Sequence, residues 1–237
     1  MTEIEITYCD KCSDELEPSQ VGLCDECRPR SFDELDESAK DKARDAARYD
    51  NVQDEWWDCV YEDAVRMGAL LGIHISSTPH TTSKGRTYTS TDISFSGFSS
   101  QGDGASFVGS YRFAPDALLK IQQETTDEEL IRIAQELLLL QLGRRMKSLE
   151  PFSATISTSS SNYSHSMTMR VDVNSEDEND EHNEVSDSLE DDVTQLMRSF
   201  ADWIYKNLET EHDYLTSDEC IDQYLAEEKF DADGDMI

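Results

Sequence analysis

Four cysteines near the N-terminus form the strongest chemical motif of this chain. Cys9 and Cys12 make one CxxC pair and Cys24 and Cys27 make a second, with eleven residues between the two pairs. Two thiolates on one tight turn supply half of a tetrahedral site, and zinc favours four such sulfur ligands. Residues 1–30 hold few large apolar side chains, so they need a metal to fold. We therefore predict a structural zinc ribbon or knuckle, with iron on the same thiolates and a redox-active CxxC as alternatives.

The second feature is charge, because 52 Asp and Glu residues stand against 20 Lys and Arg, which gives a formal net charge of −32. Self-repulsion on this scale destabilises a folded chain, so it persists where solubility or a basic partner compensates for it. Duplex DNA carries about one charge per 1.7 Å, so this chain matches the charge of roughly 16 base pairs. It could therefore compete for a DNA-binding groove. An acidic surface that only maintains solubility, or adaptation to a saline cytoplasm, would give the same composition.

Two groups of carboxylates are candidates for binding a basic partner. Asp54, Asp58 and Glu62 recur every four residues in a helical pattern, where like charges are mildly unfavourable. From Asp172 to Asp192 there are eleven acidic residues and no Lys or Arg, which predicts a mobile loop. A solvated surface is the alternative for both groups. The partner-binding residues predicted in the acidic run are Glu176, Asp177, Glu178, Asp180, Glu181, Glu184, Asp187, Glu190, Asp191 and Asp192.

The sequence carries no pattern that points to catalysis. Its five histidines are scattered, and the sequence contains neither an HExxH motif nor a GxSxG motif. The run Asp231–Asp235 is similar to the start of a calcium loop but lacks the required bidentate Glu. A metal-dependent nuclease would also need basic groups that hold phosphates, and these are few. We therefore expect a protein that is not an enzyme.

The hydrophobic periodicity predicts both helices and strands. Apolar residues recur at helical spacing over residues 51–71, 126–142 and 189–225, and they alternate or cluster as strands within residues 72–113 and 152–173. Serine-rich turns join neighbouring strands, which favours antiparallel pairing. The predicted fold class is therefore α+β, with an antiparallel sheet of about five strands flanked by helices and a small N-terminal zinc-binding appendage.

The domain organisation follows from the same patterns. The zinc segment covers residues 1–30, and a helix that is polar nearly all round follows over residues 31–50, either as a solvent-exposed connector or docked through charge. The α+β core spans residues 51–228 and includes the acidic loop 172–192, and residues 229–237 form an acidic tail.

Composition also limits where the protein acts. No apolar run approaches the roughly 18 residues of a membrane span, and the first five residues lack the features of a signal peptide. We therefore expect a cytoplasmic protein that binds neither a membrane nor nucleic acid directly. In a reducing compartment, Cys59 and Cys220 are expected to be buried as small hydrophobic residues.

Two stretches resemble a known group of proteins: ISFSGFSSQGDGASF over residues 93–107 and LETEHDYLTSDE over residues 208–219. They are similar to small bacteriophage and prophage proteins that are loosely labelled antitoxin-like. The resemblance covers residues 51–225 at most, excludes the cysteines and brings no catalytic residues. It implies phage origin and thus the cytoplasm of an infected bacterial host. By charge alone, the chain also looks like the acidic DNA mimics that phages use against restriction, CRISPR and other host defences.

These observations lead to two hypotheses. In the first, the protein is a non-enzymatic inhibitor, and its acidic surface occupies the nucleic-acid-binding site of a basic host protein. In the second, it is an antitoxin or adaptor that binds one protein by packing, and its acidity serves solubility only. Self-association as a homodimer is compatible with either one.

Overall fold

The computed structural model describes residues 7–17, 22–82, 85–159, 164–175 and 185–237. The contacts between residues divide the chain into two compact units. The core unit is Trp57–Thr210, and the terminal unit combines Met1–Trp56 with Glu211–Ile237. The helices are α1 (Glu37–Ala47), α2 (Asp58–Leu71), α3 (Ala117–Glu124), α4 (Glu128–Met146), α5 (Asp187–Leu215) and α6 (Asp218–Leu225).

The strands confirm the predicted α+β class with antiparallel pairing. They are β1 (Ile73–Ile75), β2 (Ser77–Thr81), β3 (Thr87–Thr91), β4 (Ile93–Ser96), β5 (Gly104–Phe107), β6 (Gly109–Tyr111), β7 (Phe152–Thr158) and β8 (Met169–Ser175). Four of them form one sheet in the order β1-β6-β7-β8, while β2 pairs with β3 and β4 pairs with β5. The sequence pattern predicts a single sheet of about five strands instead of these three sheets. It does not reveal β2 and β3, because these strands are rich in Ser and Thr and their side chains are mostly exposed.

Aromatic side chains build the interior of the core unit. The rings of Phe107 and Phe200 meet edge to face at 5.6 Å, and Phe200 stacks on Trp203 at 5.7 Å. Gln141 joins α4 to the sheet, since its side chain donates to the Phe152 carbonyl (2.9 Å) and accepts from the Phe152 backbone N–H (3.2 Å). A buried amide that satisfies both backbone groups of one residue fixes the position of the helix along the strand.

The terminal unit has a hydrophobic cluster of its own. Ala39, Ala43 and Ala47 lie on one face of α1 and are buried in a cluster that also contains Phe32, Leu35, Ile221, Leu225 and Phe230. The polar connector predicted over residues 31–50 is therefore wrong. Three alanines at i, i+4 and i+8 make a stripe too narrow to stand out in a composition this polar, yet they allow close packing.

Polar contacts hold α1 and the C-terminal residues together within this unit. The Arg44 guanidinium donates to both carboxylate oxygens of Asp222, at 2.7 and 2.8 Å, and it lowers the pKa of that carboxyl. Arg30 and Phe230 exchange two backbone hydrogen bonds of 2.8 and 3.0 Å. Residues 229–237 are thus anchored by Phe230 and do not form the free acidic tail that their charge suggests.

The acidic run from 172 to 192 does not form one loop. Asp172 to Ser175 complete β8, where Asp172 pairs with Thr155 of β7. Asp187 to Asp192 form the first turns of α5. Backbone pairing at one end and a helix at the other override the polar composition, and residues 176–184 lie outside the described part of the chain.

Cys59 is exposed, and the prediction that it is buried is wrong, whereas Cys220 is half-buried. The buried residues of α2 include Val60, Ala64, Met67 and Leu71. Cys59 precedes the first of them by one position, and one residue turns a helix by about 100°, which moves this side chain off the buried face.

The division into units gives a different boundary for truncation from the predicted core of residues 51–228. Deletion of residues 1–28 should leave cooperative unfolding intact, because the hydrophobic cluster begins at Phe32 and the backbone exchange begins at Arg30. Deletion of residues 1–48 also removes α1 and should expose Ile221 and Leu225, so the terminal unit should lose its melting transition. Circular dichroism and calorimetry of both truncations measure this. If the protein without residues 1–28 no longer melted cooperatively, this boundary would be wrong.

Candidate functional site

Two similar turns position the four cysteines of the N-terminal segment. In the first turn the Cys9 carbonyl accepts a hydrogen bond from the Ser13 backbone N–H at 2.9 Å. In the second, the Cys24 carbonyl accepts from the backbone N–H groups of Cys27 (3.1 Å) and Arg28 (3.0 Å). Each turn brings the two thiols of one CxxC pair to the same side.

Backbone contacts then join the two turns. The Asp10 backbone N–H donates to the Gly22 carbonyl at 2.7 Å, and Gly22 adopts a φ of 82°, a left-handed conformation that glycine tolerates. The four sulfur atoms lie within 4.8 Å of one another, and the Sγ atoms of Cys12 and Cys24 are 3.6 Å apart. In a tetrahedral site with Zn–S bonds of about 2.3 Å, neighbouring sulfurs are separated by about 3.8 Å. The cluster therefore has the size that one tetrahedral metal ion requires, and it could hold such an ion.

The environment of the thiols differs from one cysteine to the next. Backbone N–H groups of Cys12 and Cys24 lower the pKa of the Cys9 thiol to about 6. The hydrogen bond with the Cys24 side chain raises the pKa of Cys27. Four thiolates crowded this closely repel one another unless a cation balances them, so metal binding to this cluster is coupled to the release of protons.

The acidic residues predicted around α2 are only partly brought together. Asp58 and Glu62 are exposed on the first two turns of α2, one helical turn apart. Asp54 precedes the helix and belongs to the terminal unit, so the prediction that all three share one helix is wrong. Trp57 occupies the N-cap position of α2, and its ring meets that of Phe95 edge to face at 5.7 Å.

Neither Asp58 nor Glu62 forms an ion pair within the described residues, whereas their neighbour Asp63 binds Arg66 at 3.1 Å. Asp58 lies at the first position of the helix, where the helix dipole favours a negative charge. The repulsion that the sequence predicts between Asp58 and Glu62 is thus partly offset.

The first turns of α5 carry a denser group of carboxylates, three of which share one side of the helix while Asp192 lines the groove beside α4. Asp187, Glu190, Asp191 and Asp192 are all exposed, and no ion pair in the described ranges involves any of them. At 1.5 Å per residue, these four charges lie within about 9 Å of helix, a length of duplex DNA that carries about five charges. The other six predicted residues of the acidic run, Glu176, Asp177, Glu178, Asp180, Glu181 and Glu184, lie outside the described residues.

Other carboxylates are neutralised by neighbouring cations. Arg132 of α4 binds Glu129 and Glu136 at 2.6 and 2.8 Å, and Arg48 of α1 binds Asp218 at 3.1 Å. Other exposed carboxylates, such as Asp33, Glu209 and Glu227, also form no ion pair within the described residues. The carboxylates on α2 and α5 differ from these in being closely spaced on one helix, and their negative charge stays available to a partner.

A further surface on α4 was missed by the sequence pattern. The run of leucines in this helix predicts burial over much of its circumference, and Leu130, Ile133, Ala134 and Leu137 are indeed buried. Leu139, Leu142 and Met146, however, are exposed. Periodicity could not reveal this, because nearly every face of this helix carries apolar residues and only the tertiary fold decides which face is covered.

Comparison of the sequence with known families places this chain in one of them. Residues 56–218 match the family described as a domain of unknown function (DUF8835), so the chain belongs to that family. The match includes the whole core unit and excludes the four clustered cysteines. No curated protein and no solved structure matches the chain. Within the part of the chain that the structure describes, no helix has both the length and the apolar character needed to span a membrane.

Proposed function

We propose that this protein is a non-enzymatic inhibitor whose acidic surface occupies the basic nucleic-acid-binding site of a host protein. The observation that carries the proposal is the group of four exposed carboxylates at Asp187–Asp192, which form no ion pair within the described residues and approach the charge density of duplex DNA. Asp58 and Glu62 on α2 form a second, smaller acidic face of the same kind.

Their position on a helix makes the four α5 carboxylates an effective substitute for phosphates. Its backbone hydrogen bonds fix the spacing of the four carboxylates before binding, so less conformational freedom is lost when a partner binds than with a flexible acidic segment. Complementary charge also accelerates the encounter with a basic surface and selects against acidic partners. The phage resemblance supports a target among host defence proteins that handle nucleic acid, in the cytoplasm of an infected bacterium.

We also propose that the cysteine cluster binds a structural zinc ion. Four cysteine thiolates in tetrahedral spacing suit zinc, and a site with four protein ligands has no open position for catalysis. The ion would hold the N-terminal segment in a defined shape. That segment would then present a surface to the partner or tether one chain to another.

The test is charge neutralisation on α5 in the full chain. Asp187→Asn, Glu190→Gln, Asp191→Asn and Asp192→Asn together should reduce the amount of captured partner at least tenfold when the immobilised protein is incubated with bacterial lysate. A matched control removes the same charge elsewhere, through Asp33→Asn, Glu209→Gln, Asp213→Asn and Glu227→Gln, and it should capture the partner as the unmodified chain does. Quantitative mass spectrometry of the bound proteins measures both.

Salt and DNA distinguish the two hypotheses in the same assay. A partner held by charge should be released between low and high ionic strength, and duplex DNA should displace it. If the partner stays bound in high salt together with DNA, and the α5 variant captures it normally, the mimic proposal is wrong. The antitoxin or adaptor hypothesis then takes its place.

A further inference from the structure

An apolar stripe runs along the exposed face of α4. Leu139, Leu142 and Met146 recur every three or four residues, so they lie on one side of the helix. Their exposed fractions are 66 %, 40 % and 88 %. A contiguous apolar surface of this kind marks an interaction site more often than an ordinary surface.

Gly143 lies within this stripe. A glycine inside a helix lowers its stability relative to alanine, so its presence needs a reason. A Cβ atom built at Gly143 would meet nothing within 4 Å, so no contact among the described residues requires a glycine here. At Gly109, by contrast, an added Cβ would collide with the His74 carbonyl. The space that Gly143 leaves open lies outside the chain, where it would let another backbone approach closely.

The two ends of the stripe carry opposite charge. Arg145 and Lys147 flank Met146, and neither forms an ion pair within the described residues, although the chain carries 52 carboxylates. At the other end, Asp192, which forms no ion pair within the described residues, lines a groove of about 300 Å³ together with Leu139 and with Glu136, whose carboxylate also binds Arg132 of its own chain. The stripe is therefore complementary in charge to its own reversed copy.

We propose that this stripe binds the same stripe of a second copy of the chain, with the two α4 helices antiparallel about a two-fold axis near Leu142 and Gly143. In this arrangement Met146 of one copy enters the groove beside Leu139 of the other. Arg145 and Lys147 then face the carboxylates that line that groove. A parallel pair would instead place like charges together, so charge selects the antiparallel orientation, and a two-fold axis closes the assembly as a dimer.

Salt should affect this contact in the direction opposite to its effect on a basic partner. Two chains of formal charge −32 repel each other over a long range, and added salt screens this repulsion. The apolar contact between the helices is not screened. Dimerisation should therefore strengthen as ionic strength rises, whereas charge-driven capture of a partner weakens. Asp192 belongs both to the α5 carboxylates and to this groove, so the two proposals are separated by substitutions at Leu142 and Gly143, which leave the α5 carboxylates unchanged.

The test is sedimentation equilibrium of the full chain over a range of protein and salt concentrations. We expect a dimer whose dissociation constant falls with salt, and a monomer for Leu142→Glu. The matched control Leu119→Glu, which places the same charge at another exposed leucine of the core unit (59 %), should dimerise normally. Gly143→Gln should raise the thermal midpoint, because the helix gains stability, and weaken dimerisation at least tenfold.

Opposite changes in stability and affinity for Gly143→Gln separate the proposal from a simple folding defect. A chain that stays monomeric at every salt concentration would overturn it. The proposal would also be wrong if the Leu142→Glu variant dimerised with unchanged affinity. The same holds if the stripe bound a different protein while the chain itself remained monomeric.

Discussion

Chelation of the zinc ion proposed at the cysteine cluster is expected to unfold the cysteine segment and to leave the melting of the core unit unchanged. The hydrogen bonds of the two turns hold few apolar side chains in place, so under the proposed zinc site four metal–sulfur bonds would supply the folding free energy of this segment. In zinc-finger peptides such sites contribute about 10–16 kcal/mol at neutral pH. Elemental analysis should give one zinc per chain, and loss of the metal should remove the dispersed amide resonances of residues 7–30 in an NMR spectrum.

Substitutions test whether the clustered sulfurs hold this metal. Cys12→Ser or Cys24→Ser should abolish stoichiometric binding, because each removes one of four ligands whose atoms lie within 4.8 Å of one another. Cys59→Ser and Cys220→Ser are matched controls and should keep one zinc. Lowering the pH should release the metal, since protons compete for the thiolates. Purified protein without zinc or iron, with all four thiols titrating freely, would disprove the site.

The second large effect is expected from Phe230→Ala. This side chain is 1 % exposed, lies 6.0 Å from the ring of Phe32, and belongs to the buried cluster of the terminal unit. Truncation of a buried phenylalanine to alanine typically costs about 3–5 kcal/mol, because apolar contacts are lost and a cavity remains. The free energy of unfolding of the terminal unit, measured by urea denaturation, should fall by that amount.

Met236→Ala is the matched control for this substitution. Met236 lies in the same C-terminal segment but is 46 % exposed, and surface substitutions usually change stability by less than about 0.5 kcal/mol. If Phe230→Ala has an effect as small as the control, the residues after 228 do behave as the acidic tail that their composition suggests. The buried cluster would then not depend on Phe230.

The cysteine site could be predicted from the sequence because its chemistry is local. Spacing within each CxxC pair and a segment too poor in apolar residues to fold alone were sufficient to select Cys9, Cys12, Cys24 and Cys27. The α+β class was also predictable, since alternation in β7 and helical periodicity in α2 and α5 reflect the burial of one face in short stretches of chain. The acidic residues were recognisable as a group for the same reason, because charge is a property of composition.

Tertiary structure alone decided which of these residues act together. Asp54 does not share a helix with Asp58 and Glu62, because α2 begins only at Asp58. The alanines of α1 acquire a core only when Ile221 and Phe230, almost two hundred residues later, lie against them. The apolar stripe on α4 is exposed because the fold covers the opposite side of this helix, where Leu130, Ile133, Ala134 and Leu137 are buried. Local patterns state which faces can be buried, but burial itself depends on contacts between distant parts of the chain, and no short stretch of sequence contains them.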